Sequence, residues 1–209
     1  CIKTKIRINF NFKRLFFLFF AALLVQNLFC QNSGRKYFQN YSPKEYKWHN
    51  QNWSILQDKR GIIYVGNNNG LLEFDGITWR KIIIPNRTVR SMALDENTGT
   101  IYIGGKDQIG FLTPDSKGTL EYKSLLHQLD KDKQNFSEVW RTHFTKEGIY
   151  FRTWKYLFRW NPASKQLNVW EPEAKGYRFN ASFTCNGKLF VHQRDVGLMQ
   201  IKNNSLKLV

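Results

Sequence analysis

The amino-acid sequence predicts an all-β fold: a signal peptide followed by a partial β-propeller of about four blades, each of four antiparallel strands. Two observations carry the propeller prediction. Short β-branched and aromatic runs alternate with Gly, Asn and Asp, which is typical of strands joined by tight turns. One unit of turn, glycine and strand recurs about every 40 residues, and four strands in such a period are typical of a propeller blade.

Four turn glycines mark the repeat. They are spaced by 38, 49 and 39 residues, at Gly61, Gly99, Gly148 and Gly187. In the first copy Asp58 precedes Gly61, so that the carboxylate can bond the turn backbone while the glycine takes a positive φ. The copies predict a propeller region at 51–209, with blades at roughly 51–86, 87–126, 137–172 and 177–209. The longer second spacing predicts a short surface helix around 125–133.

The sequence also predicts what lies between the blades. Large aromatic residues of the repeats are expected to fill that space, namely Tyr64, Phe74, Trp79, Tyr102, Trp160 and Trp170. Cys185 is expected to be a small core residue. A β-sandwich of about a hundred residues is the competing all-β interpretation. It does not explain why the same unit recurs four times.

The amino terminus has the pattern of an export signal. Five basic residues and no acidic one precede an uncharged apolar run at 15–25, which is typical of a secretory signal peptide. We therefore predict a signal peptide at 1–30, cleaved between Cys30 and Gln31, and a lead-in segment at 31–50. A retained membrane anchor, which needs about 20 apolar residues, and a lipid-bearing Cys30 are the alternatives. Because the chain starts at Cys1 and stops within the fourth repeat, a fragment of a longer protein is expected.

Composition excludes several classes of protein. The chain has 209 residues, of which 42% are hydrophobic, so it can bury a core and disorder is excluded. Three cysteines cannot form a disulfide scaffold. The net charge is +16, and without the five basic residues of the signal peptide 27 basic residues face 16 acidic ones, or +11. Export argues against a nucleic acid as partner, whereas acidic glycans stay open beside the alternative of scattered surface lysines.

No pattern of catalytic or metal-binding residues stands out. The four histidines are isolated, with no His-x-x-x-His or Cys-x-x-Cys spacing. The segment Asp130–Gln134 lacks the glycine that a calcium loop needs at its sharp turn. The sequence therefore predicts no catalytic residue, no metal and no cofactor. A glycan-active enzyme stays open, because its paired carboxylates are related in space rather than in sequence.

The residues at 56–75, Leu-Gln-Asp-Lys-Arg-Gly-Ile-Ile-Tyr-Val-Gly-Asn-Asn-Asn-Gly-Leu-Leu-Glu-Phe-Asp, resemble the two-component regulator propeller repeat. Tyr64 stands where that family often has Trp, and the third and fourth copies have Thr145 and Thr184 where it has Asp. The segment 40–46 followed by 51–54 is similar to the opening of exported Bacteroidetes-type sensor proteins. The resemblance covers roughly 50–209.

This resemblance implies a periplasmic sensor region, often for carbohydrates, in a protein anchored in the inner membrane. Such proteins continue into further blades, a triple-tyrosine β-sandwich module, a transmembrane helix and a histidine kinase or helix-turn-helix output. The full-length protein is expected to be a homodimer. A secreted propeller that serves as a protein-interaction scaffold is the alternative.

A ligand would bind at one mouth of the propeller, where innermost strands and the loops between second and third strands converge. Aligning the copies places Trp53, Arg90, Trp140 and Phe179 at one register of the innermost strand, and the loops bring further aromatic and basic residues. Aromatic faces beside Arg suit a sugar or an acidic oligosaccharide. The predicted ligand-binding residues are Trp53, Arg90, Trp140, Arg141, Trp154 and Arg194. Packing of these aromatics in the channel-side core is the alternative.

Overall fold

A computed structural model describes residues 38–173, 176 and 178–209. The predicted signal peptide and its cleavage site, with most of the first half of the lead-in, lie outside the described residues. Residues 41–209 form one compact unit with four separate four-stranded antiparallel sheets. Within the described ranges, no helix is both long and apolar enough to span a membrane.

The strands of each sheet follow one another in chain order, so that each sheet is a meander. A short helix α1 (Pro43–Tyr46) precedes the first sheet. Blade 1 consists of β1 (Asn52–Gln57), β2 (Ile63–Asn67), β3 (Gly70–Phe74) and β4 (Trp79–Ile82), and blade 2 of β5 (Val89–Leu94), β6 (Ile101–Gly105), β7 (Gln108–Pro114) and β8 (Leu120–Ser124). Blade 3 consists of β9 (Arg141–Thr145), β10 (Gly148–Arg152), β11 (Leu157–Asn161) and β12 (Gln166–Trp170). Blade 4 consists of β13 (Phe179–Cys185), β14 (Lys188–Gln193), β15 (Gly197–Lys202) and β16 (Ser205–Leu208).

The Asp-to-Gly turn forms as its residues predict. The Asp58 carboxylate accepts hydrogen bonds from the backbone N–H groups of Arg60 at 2.9 Å and Ile62 at 3.0 Å, and Gly61 has a φ of 86°. Because a positive φ is strained for residues with a Cβ, glycine favours this turn. The segment predicted to hold one short surface helix around 125–133 instead has two three-residue 3-10 helices, Leu126–Gln128 and Lys131–Lys133. Three-residue turns of this kind suit a surface connection between sheets.

Apolar residues of neighbouring blades form three clusters. Tyr64 packs with Val89 and Ile103 between blades 1 and 2, and Tyr102 packs with Phe158 and Trp160 between blades 2 and 3. Between blades 3 and 4, Trp170 packs against the cluster of Tyr150, Phe179, Leu189 and Val191. Four of the six predicted interblade aromatics therefore do lie between blades.

The other two aromatics have a different neighbour. Phe74 stacks on Trp79 with a ring-centroid distance of 4.4 Å, and both contact Tyr41 of the lead-in. Tyr46 of α1 completes this packing on the face of blade 1 that points away from blade 2. The prediction that Phe74 and Trp79 lie between blades is therefore wrong, because the lead-in folds back onto this face.

Blade 4 presents its second face to solvent. Phe183 stacks on Phe190 at 5.6 Å, yet Phe183 is 47% exposed. Cys185 follows two residues later in the same strand and is exposed as well. The prediction of a buried Cys185 is wrong, because alternate residues of a strand share a face and this face has no covering element among the described residues.

Candidate ligand-binding site

Four of the six predicted ligand-binding residues form a continuous stack, namely Trp53, Arg90, Trp140 and Trp154. The guanidinium carbon of Arg90 lies 3.5 Å from the ring centroid of Trp53 and 5.0 Å from that of Trp140. Trp140 in turn stacks on Trp154 at 5.2 Å with an interplanar angle of 25°. The guanidinium of Arg178 lies 5.1 Å from the Trp154 ring centroid. We call these five residues the Trp–Arg column.

Strand irregularities direct the first two members of the column. The β1–β2 register shifts between Asn52 and Ser54, and the β5–β6 register shifts between Val89 and Ser91. Trp53 and Arg90 are the residues skipped by these shifts. An unpaired residue of this kind is turned away from the regular strand face, so each can reach the neighbouring blade.

Arg90 is held by an ion pair as well as by the two indoles. Its Nε and Nη2 donate to Glu138 Oε2 and Oε1 at 2.9 and 3.2 Å, and the two side chains are only 14% and 16% exposed. Arg90 Nη1 is buried without a hydrogen-bond partner among the described residues. A bidentate pair of low exposure fixes the guanidinium plane, which keeps the stack rigid.

The loop that carries Glu138 is anchored to blade 2. The Asp107 carboxylate accepts a hydrogen bond from the backbone N–H of Phe136 at 2.8 Å and from that of Ser137 at 2.5 Å. Glu138 also forms an isolated β-bridge with Lys106. The loop between the second and third strands of blade 2 thereby sets the position of the carboxylate that holds Arg90.

Two indoles of the column face solvent. Trp154 is 46% exposed and Trp53 is 36% exposed. The Trp53 Nε1 donates to Asn68 Oδ1 at 3.1 Å, and Asn68 lies in the loop between β2 and β3. Exposed indole faces with polar groups beside them are a surface on which a planar or sugar ring can stack.

The other two predicted ligand-binding residues lie outside the column. Arg141 is exposed and pairs directly across β9 and β10 with Arg152. Arg194 is half-exposed with its Nε 3.4 Å from Asp195 Oδ2, and its backbone N–H donates to the carbonyl of Arg178. Phe179, at the aligned register, is buried in the core between blades 3 and 4.

Arg152 connects blade 3 to blade 4 beneath Arg141. Its Nη1 donates to the Phe179 carbonyl at 3.1 Å and its Nε to Ser182 Oγ at 3.4 Å. Burial, together with the charge of Arg141, lowers the pKa of Arg152 to about 10, so it stays charged at neutral pH. Like charges directly opposite in a sheet are destabilising, so this pair favours an anion beside it.

His143 is a neutral residue of the same interface. Its Nε2 lies 2.8 Å from Ser182 Oγ. Burial, and then the charges of Arg152 and Arg141, lower the pKa of His143 to about 4. At neutral pH the ring therefore adds no charge to this group of arginines.

The described part of the chain holds no group of three or more His, Cys, Asp or Glu side chains that could bind a metal ion.

Two residues of the site were not predicted from the sequence, namely Glu138 and Arg178. Glu138 lies in a linker with no motif, and Arg178 precedes β13 by one residue. Its place before the strand that begins at Phe179 is the one signal that could have drawn attention to Arg178.

Comparison with known proteins supports the fold. Neither a family model nor a curated protein matches this chain. A similar solved structure is the extracellular domain of BT3049 from B. thetaiotaomicron, described as a hybrid two-component system: 17% identity, a TM-score of 0.62, and coverage of 82% of this chain and 26% of that one. Another is the WD40 β-propeller domain of Doa1, with 15% identity, a TM-score of 0.54, and coverage of 76% of this chain and 54% of that one.

These similarities confirm the predicted β-propeller fold. The chain spans about a quarter of the BT3049 domain and about half of the Doa1 domain.

Proposed function

We propose that this chain is the extracytoplasmic, ligand-sensing propeller of a transmembrane signalling protein, and that it binds an acidic oligosaccharide at the Trp–Arg column. The observation that carries the proposal is the column itself, in which side chains of three blades meet and leave Trp154 and Trp53 partly open to solvent. A ligand stacked on it would contact several blades at once.

The column is suited to binding because it is rigid before a ligand arrives. Arg90 is fixed by Glu138 and by two indoles. Trp154 is fixed by its stack on Trp140 and by its backbone carbonyl, which accepts from the Phe179 N–H at 3.0 Å. A preorganised site loses less conformational entropy on binding.

The charges around the column favour an acidic ligand. Arg178 flanks Trp154, and Arg141 with Arg152 forms a like-charge pair on the adjoining strands. Neither arginine of that pair has an ion-pair partner among the described residues, whereas Glu138 is already occupied by Arg90. Carboxylate or sulfate groups of a glycan would complement the guanidinium groups of Arg178 and of the exposed Arg141, while the buried Arg152 adds positive charge from below the surface.

A role in signalling is supported by two lines of reasoning. The fold is similar to the extracellular domain of BT3049, and the first repeat resembles the two-component regulator propeller repeat.

The free face of blade 4 also suits a further blade. At the end of β10, Arg152 donates to the first carbonyl of the next blade, and at the same place in β14 the amide of Gln193 is buried without a partner among the described residues.

The binding proposal is tested by titrating acidic and neutral oligosaccharides into the protein in a calorimeter. We expect saturable binding of an acidic glycan, and a loss of about tenfold in Trp154→Ala, because an aromatic stack contributes about 0.5–1.5 kcal/mol beyond the buried area and about 1.4 kcal/mol corresponds to tenfold. Phe183→Ala is the matched control, since Phe183 has nearly the same exposure on blade 4. Equal weakening by both variants, or no binding of any glycan by the folded protein, would contradict the proposal.

The preference for acidic ligands has its own pair of variants. Arg141→Gln should weaken the acidic glycan several-fold and leave a neutral glycan unchanged, because only the ion contact is removed. Lys146→Gln, at the opposite end of the same hairpin, is the control.

The signalling role is tested separately by sequencing the gene beyond the codon for Val209. Further blades, a transmembrane helix and a kinase or DNA-binding output are expected, and a stop codon soon after the propeller would overturn that role.

A further inference from the structure

A cavity lies between blades 2 and 3, apart from the Trp–Arg column. Its volume is about 370 Å³ and most of its surface is apolar. Tyr102, Phe111 and Trp160 form an aromatic floor, of which Tyr102 and Trp160 are buried core residues. We call this cavity the interblade cleft. Its size lies within the range of small-molecule sites, about 300–1,000 Å³.

The rim of the interblade cleft is basic. Lys123 of β8 and Lys165 of the turn between β11 and β12 line it from the two blades, and His127 and Gln128 line it from the first 3-10 turn. None of the residues that line it is acidic. Glu121, on the same face of β8 as Lys123, lies outside the lining.

The backbone holds this rim in place. The Leu126 N–H donates to Ser124 Oγ at 3.1 Å, and the His127 ring Nδ1 lies 3.1 Å from the Ser124 carbonyl. The Asn161 carboxamide oxygen accepts from the backbone N–H groups of Ala163 and Ser164, which shapes the turn that carries Lys165. The cleft is therefore bounded by two ordered turns and a sheet edge.

We infer that the interblade cleft binds a small aromatic carboxylate, whose ring lies on the aromatic floor and whose anionic group meets Lys123 and Lys165. An aromatic body matches the apolar floor, since aromatic pairs add attraction beyond the burial of area. A carboxylate matches a rim with two ammonium groups and no acidic residue. A neutral apolar ligand would leave those charges without a counterion.

The test uses indole-3-acetate as the probe and indole-3-acetamide as its neutral match, titrated into the full chain by calorimetry. We expect saturable binding of the carboxylate, and binding about tenfold weaker for the amide. Lys123→Gln with Lys165→Gln should lower the carboxylate affinity to that of the amide. The control, Lys117→Gln with Lys188→Gln, removes two exposed lysines outside the cleft and should leave both affinities unchanged.

A blocking variant tests the location. Gln128→Trp places a large side chain at the mouth of the cleft and should abolish binding of both probes while circular dichroism shows an intact fold. Equal affinity for the two probes, or no saturable binding at about 1 mM, would overturn the proposal. So would loss of binding in Trp154→Ala, because the probe would then be bound at the Trp–Arg column.

Discussion

At the scale of single residues, the buried guanidinium of Arg90 positions the two indole rings that lie against it. Arg90 lies between Trp53 and Trp140 and is paired with Glu138, so its own charge is neutralised inside the stack. The guanidinium then acts mainly as a rigid plane that holds two indoles apart. The uncompensated positive charge beside the stack belongs to neighbours that lack an acidic partner among the described residues, above all Arg141.

His143 makes the stability of the protein depend on pH. Its folded pKa of about 4 lies below the ordinary value near 6.5, so between about pH 6.5 and pH 4 the unfolded chain binds a proton that the folded protein does not. The free energy of unfolding should therefore decrease as the pH falls from about 6.5 to about 4, by up to about 3 kcal/mol.

The measurement is urea unfolding of the wild type and His143→Gln over this pH range. Gln can keep a hydrogen bond to Ser182 but cannot titrate, so the variant should lose much of the decrease. Carboxylates such as Asp58 and Asp75, whose pKa values are lowered by hydrogen bonds, contribute to both proteins alike at lower pH. Identical pH profiles would contradict the prediction.

At the scale of elements, the second strands decide how closely the blades approach. Gly104 of β6 faces blade 3, where an added Cβ would lie 2.4 Å from Val139 Cγ1 and 2.8 Å from Thr142 Oγ1. Gly66 takes the same place in β2, where an added Cβ would lie 2.8 Å from Val89 Cγ1. Without a side chain at these positions, the innermost strands of adjacent blades come close enough for Trp53, Arg90 and Trp140 to stack.

Gly104→Ala should therefore destabilise the protein by about 1–3 kcal/mol, the usual cost of overpacking a core. Chemical unfolding measures the change. Adding Val139→Ala removes Cγ1 of Val139, the atom nearest to the new Cβ, so the double variant should show a sub-additive loss. A Gly104→Ala protein as stable as the wild type would show that the blades can move apart without cost.

At the scale of the whole molecule, the four blades are not equally covered. Blades 2 and 3 are packed on both faces, and the lead-in covers part of the outer face of blade 1. Blade 4 packs on blade 3 through one face, while Phe183 on the other face is 47% exposed. Stability should therefore decrease along the arc towards blade 4.

Hydrogen exchange followed by mass spectrometry tests this gradient. Amides of β6 and β10 should be the slowest to exchange, and amides of β13 and β16 should exchange far faster, because local opening needs less free energy where fewer apolar contacts are broken. Equal protection in blades 3 and 4 would contradict the gradient.

The sequence by itself determined the repeat, the all-β class and part of the site. The turn of Asp58 and Gly61 depends only on residues that are close together in the sequence, so it can be recognised from the sequence alone. The regular spacing of such turns predicts blades. Aligning the copies also brought Trp53, Arg90 and Trp140 to one register, and the structure places them in contact.

Only the tertiary structure decided which partners complete that site. The pair of Arg90 with Glu138 spans 48 positions of sequence, and the register shifts that turn Trp53 and Arg90 towards their neighbours leave no mark in composition. The predicted positions of Cys185 and Phe74 are wrong for the same reason: burial of a strand face depends on which element lies against it. Contacts between blades join residues that are far apart in the chain, so their geometry follows from packing rather than from local pattern.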